Sequence, residues 1–163
     1  MKLRRLFSPF LLFAFVIPLC GQIQSRSEVD SLLEQANKAL DHYQHLAPSI
    51  HCEEATKTEF RDACKIEMET LEERVQEAKT EIARYRQNST PQAVDLFDAY
   101  EVFRRVMIEL EALNSVPDFY GERNQRLFAE AYNTFVKVTG WFGGVVRDTI
   151  RDAEKCSARV GHT

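Results

Sequence analysis

Apolar residues return every three or four positions along most of this chain, and that spacing predicts four amphipathic helices. The first spans about 28–47, with Val29, Leu32, Leu33, Ala36, Leu40, Tyr43 and Ala47 on one stripe. Ser27 can cap it, since a serine oxygen accepts a free amide of the first turn, and Pro48 ends it. The second spans about 57–87 on Phe60, Cys64, Met68, Leu71, Val75, Ala78, Ile82 and Tyr85, a near-heptad rhythm. Thr56 with Glu59 reads as its capping box. The third spans about 91–113. Pro91 suits its first position, where no amide partner is needed, and Ser89 or Thr90 can cap it. Its stripe is Val94, Phe97, Tyr100, Phe103, Met107 and Leu110, widened by Leu96 and Val106. The fourth spans about 124–156 on Phe128, Ala131, Phe135, Val138, Phe142, Val145 and Thr149. No run alternates like a strand.

Four such helices with short links predict an all-α, antiparallel four-helix bundle in up-down-up-down order. At roughly 1.5 Å per residue the second and fourth helices reach nearly 50 Å. They are expected to project as a bare antiparallel pair beyond the two shorter ones.

The first residues follow another pattern. Lys2, Arg4 and Arg5 precede an apolar run from Leu6 to Leu19, and Gly21 and Gln22 follow. That order predicts a secretory signal peptide over 1–21 and a single helical domain over 22–163. The run is too short, and too rich in proline, for a permanent span. A lipid anchor on Cys20 is disfavoured by Leu19 and Pro18 before it. The expected location is periplasmic or extracellular.

Charge narrows the partners. The chain carries 21 Lys and Arg against 25 Asp and Glu, and loss of Lys2, Arg4 and Arg5 moves the net charge from −4 to −7. An acidic chain without clustered cations does not suit nucleic acid. On the second helix every fourth residue reads Lys57, Arg61, Lys65, then Glu69, Glu73, Glu77, Glu81. A basic half followed by an acidic half is self-complementary between antiparallel copies, which makes it a candidate dimer stripe. Its alternative is a solvated face balanced by lateral partners.

Export permits disulfides. In an up-down order Cys52 and Cys64 share one end of the bundle, and Cys156 lies at the other. A continuous helix from 52 to 64 would hold the pair about 18 Å apart, whereas a disulfide needs about 5.5 Å between Cα atoms. Pairing Cys52 with Cys64 therefore predicts that the residues before the second helix fold back on it. Cys156 is then left as a free or intermolecular thiol.

One stretch resists the simple pattern. Gly140, Gly143 and Gly144 surround the single tryptophan, Trp141, inside the fourth helix. Phe135, Val138, Phe142 and Val145 keep their period across them, which favours one continuous helix. Each interior glycine costs about 1 kcal/mol relative to alanine. Close packing against Tyr100 or Phe103 is the expected offset. Tyr100, Phe103, Phe135, Trp141 and Phe142 are also the candidate lining of a pocket for a small hydrophobic ligand.

Catalytic constellations are missing from the sequence. It has no Gly-rich phosphate loop, G-x-S-x-G elbow or H-E-x-x-H. His42 and His45 have a chelating spacing but sit beside the apolar stripe, and no Glu-x-x-His pair repeats on two helices. The sequence predicts no catalytic residues, metal or cofactor. It points to a protein that works by binding a protein partner or a second copy of itself, with a ligand carrier and an enzyme with a site across helices as alternatives.

Overall fold

The computed structural model describes residues 26–116 and 120–160. They form four α-helices: α1 Arg26–Leu46, α2 Thr58–Gln87, α3 Ala93–Asn114 and α4 Glu122–Val160. There is no strand among the described residues, and no described helix is long and apolar enough to cross a membrane. The proposed leader, its cleavage point and Cys20 lie outside the described residues.

One core joins the helices. α1 and α2 contribute the expected stripes, from Val29 to Tyr43 and from Cys64 to Tyr85. α3 packs against α2 and α4, and α1 packs against the same two helices. α2 and α4 share no comparable interface, so the bare pair expected of the two longest helices does not form. Polar contacts stitch the neighbours together. Arg86 donates to the Asp30 carbonyl at 3.3 Å, and Lys79 pairs with Asp41 at 2.5 Å. Arg84 meets Asp98 at 3.6 Å, and Arg105 meets Glu77 at 3.7 Å. His42 reaches Glu130 on α4 at 3.2 Å.

α3 corrects the sequence reading. Its buried face is Leu96, Ala99, Val102, Phe103, Val106 and Leu110. Val94 and Phe97, read as core, are 60% and 39% exposed. Both registers contain Phe103 and Leu110. The buried face runs through Ala99 and Val102, which the stripe built on Val94, Phe97 and Tyr100 leaves out. The helix also starts later than expected. Pro91 stays in the loop and Gln92 takes the cap position. The Asp95 carboxylate accepts the Gln92 N–H at 2.7 Å, an orphan amide satisfied from inside the first turn. At α2 the cap position belongs to Lys57, which makes no side-chain cap bond, rather than to Thr56. Ser27 lies inside the first turn of α1, not ahead of it.

The α1–α2 link folds back as the cysteine geometry requires. Short 3-10 turns at Ala47–Ser49 and Cys52–Glu54 lead into a Cys52–Cys64 disulfide with Cα atoms 5.6 Å apart. The expectation for Cys156 fails, because Cys156 is disulfide-bonded and not free.

A second tie holds the same link. Asn124, fully buried at the start of α4, accepts the His51 N–H at 3.0 Å. Its amide donates to the His51 and Tyr120 carbonyls, both at 2.8 Å. Gly121 lies at φ +87°, a conformation that disfavours any side chain. A Cβ there would also stand 2.9 Å from the Glu54 carbonyl oxygen. The link and the entry to α4 are thus in backbone contact.

Tyr43 gives the fold an alkaline limit. It is fully buried, with its hydroxyl toward the Met68 sulfur at 3.8 Å. Burial, and then Glu72, pushes its pKa above the ordinary value. In the unfolded chain tyrosine ionises near pH 10. Above that pH the unfolded state holds fewer protons than the folded one, so stability falls as pH rises. We expect cooperative unfolding on the alkaline side, followed by circular dichroism and phenolate absorbance. Tyr43→Phe should move that transition to higher pH.

Candidate functional site

The glycine stretch lies wholly inside α4, and none of its three glycines has positive φ. The helix is continuous, and the glycines divide by what faces them. A Cβ on Gly143 would stand 3.0 Å from the Tyr100 hydroxyl and 3.3 Å from its Cζ. Gly143 is therefore the close-packing position, and Tyr100 is the ring it admits. A Cβ on Gly140 or Gly144 would meet nothing within 4 Å, so both positions face open space. Alanine at either is expected to stabilise by about 0.5–1 kcal/mol through helix propensity. Alanine at Gly143 is expected to gain less than at the other two, because the Tyr100 hydroxyl must give way by a few tenths of an ångström. Urea denaturation of the three variants checks this, and equal effects would remove the close-packing account.

The aromatic residues do not line one pocket. Phe103 stacks on Phe135 with centroids 4.9 Å apart and tilts against Phe142 at 5.9 Å. All three are fully buried. Tyr100 meets Phe142 edge-on at 5.4 Å. Trp141 turns away from this cluster and is 39% exposed, and Val136 is 40% exposed. Ile108 on α3 is also left at the surface.

A groove does open between α3 and α4, toward the C-terminal end of α4. Phe97 and Tyr100 supply one wall, and Gly143, Val146, Arg147, Ile150, Arg151 and Glu154 the other. Its surface is mainly apolar. Of this set, sequence reasoning marks only Tyr100 and Gly143 as site residues. Helical spacing assigns Phe97 to the core and puts Val146 and Ile150 alongside the stripe of the fourth helix, and Arg147 carries no local signal.

The candidate dimer stripe does not form one face. A four-residue step overshoots a helical turn by about 40°, so six steps wind it roughly 240° around α2. Lys57 and Lys65 lie by Glu59 and Glu53, at 3.9 and 3.6 Å, and Arg61 donates to the Ala55 carbonyl at 3.3 Å. Glu77 meets Arg74 and Arg105, and Glu81 meets Arg84. Glu69 and Glu73 remain exposed between these groups. The stripe is mostly occupied by lateral partners within the chain.

A backbone hydrogen bond, and then Lys65, holds the exposed Glu53 carboxyl below the usual range. Among the described residues no group of three or more His, Cys, Asp or Glu is placed to hold a metal. No known protein family, curated protein or solved structure matches this chain.

Proposed function

We propose that this chain is an exported, non-enzymatic helical bundle that acts by binding another protein in the cell envelope. Export rests on the charged and apolar leader pattern, and the Cys52–Cys64 disulfide is compatible with an oxidising compartment. The up-down-up-down order is supported by the contacts. Asp30, Asp41 and Gln44 of α1 meet Arg86, Lys79 and Glu72 of α2 in descending order.

The observation that carries the binding reading is a division of apolar residues. Phe103, Phe135 and Phe142 close on one another inside, while Ile108, Val136 and Trp141 stay at the surface. Exposed aliphatic and aromatic side chains on two adjacent helices are the material of a protein contact. A photo-crosslinking residue at Val136, in cells exporting the full chain, tests this. A discrete adduct with a second protein, missing when the residue replaces exposed Glu34, is expected. Equal labelling at both positions overturns the reading, and an adduct of the chain with itself makes the partner a second copy.

A further inference from the structure

We propose that the groove between α3 and α4 is a binding site for an anionic amphiphile, a free carboxylate on an apolar chain. The proposal goes beyond the protein-binding reading and uses none of Ile108, Val136 or Trp141.

The floor of the groove depends on Gly143. A Cβ there would stand 3.0 Å from the Tyr100 hydroxyl and push it aside by a few tenths of an ångström, so the glycine leaves the ring its present place. The Tyr100 hydroxyl has no hydrogen-bond partner among the described residues, although its ring is packed against Phe142. Phe97, Val146 and Ile150 give the groove an apolar body, and Phe97 is exposed well beyond what a core ring would be.

Charge chooses the head of the ligand. Two guanidinium groups line the groove. Arg151 is held by Asp148 at 2.8 Å and approaches Asp152 at 4.0 Å. Arg147 has no ion pair among the described residues. It is exposed and lies on the rim of the groove. An unpaired guanidinium and an unpaired phenol lining one groove offer donors to a carboxylate, and guanidinium binds carboxylates through paired N–H groups. Glu154, at the far end of the same groove, repels a second anionic group there. A ligand with one anionic head at Arg147 and an uncharged tail along Phe97 and Ile150 fits this arrangement. A few polar groups on a mainly apolar surface is the usual composition of a ligand site.

The test is a titration of the purified, oxidised protein with monomeric dodecanoate, followed by amide NMR and calorimetry. Saturable binding is expected, with shifts centred on Phe97, Gly143, Arg147 and Ile150. Arg147→Glu should weaken it about tenfold or more, the scale of one lost charge-assisted hydrogen bond, with unchanged thermal stability. Arg147→Lys should retain most of it. Equal binding of dodecyltrimethylammonium, or equal binding by the Arg147→Glu protein, overturns the proposal. So do shifts centred on Trp141, or binding only to phosphatidylglycerol vesicles and not to monomeric dodecanoate. A concentration-dependent dimer that buries the same amides in the absence of probe also overturns it. None of these results bears on crosslinking at Val136.

Discussion

Replacing Phe103 with alanine is expected to lower stability by about 3–5 kcal/mol, the range for removing a fully buried phenylalanine. The ring is fully buried and stands between Phe135 and Phe142, so its loss empties the centre of the α3–α4 interface. The effect has two sources. The side chain no longer leaves water on folding, and the two remaining rings keep a cavity that helices held at both ends cannot close. For a chain of this size the melting temperature should fall on the order of 10 °C. Phe103→Leu should lose far less, because most of the volume remains. Urea denaturation checks both, with a lower midpoint and an unchanged slope. Trp141→Ala is the control, and a comparable loss there would mean that the core has been misplaced.

Asn124→Asp should be severely damaging although it changes little more than one atom. The asparagine amide donates to two carbonyl oxygens at 2.8 Å. An aspartate oxygen in its place faces both carbonyls without a proton to share. A buried carboxylate so placed leaves those carbonyls unsatisfied and carries its own desolvation penalty, about 3 kcal/mol or more in sum. The pH dependence identifies the cause. Burial next to carbonyls raises the folded-state pKa of the new carboxyl above its unfolded value. The folded state then holds the extra proton, so the variant regains stability as pH falls through that folded pKa. Asn124→Ala lacks this recovery, although it also leaves the His51 and Tyr120 groups unpaired. Denaturation at neutral and mildly acidic pH separates the two variants, and parallel losses at both pH values would refute the carbonyl account.

The two expected losses sit at different distances from what the sequence reveals. Phe103 is legible because its neighbours recur at helical spacing, and the four helices follow from that same recurrence. The phase of α3 is not, since apolar residues nearly encircle its first turns and two stripes, one through Val94 and Phe97 and one through Leu96, Ala99 and Val102, fit helical spacing equally well. The fold-back of the α1–α2 link is legible because two cysteines on a straight helix cannot meet. Cys156 is misread because discounting the leader leaves three cysteines, an odd number, and so gives the third no partner. Asn124 marks the start of the fourth helix, but nothing local shows that it ties that start to the α1–α2 link. Its partner His51 is 73 residues away, and an asparagine near a helix start reads as an ordinary cap or surface residue. The groove is half legible. Helical phase puts the glycines inside α4, but only the position of Tyr100 separates Gly143 from its two open neighbours.

The ties on the α1–α2 link differ greatly in sequence separation, and this sets an order of assembly. Cys52 and Cys64 are 12 residues apart, so they can close as soon as the first turns of α2 exist. His51 and Asn124 cannot meet until α2 and α3 have been made and brought back. Loop-closure entropy grows with the length of chain enclosed, so the early bond forms at the smaller entropic cost. It leaves the link already bent when α4 arrives. The late contact then joins two preformed pieces, and the oxidised chain should dock α4 faster than the reduced one.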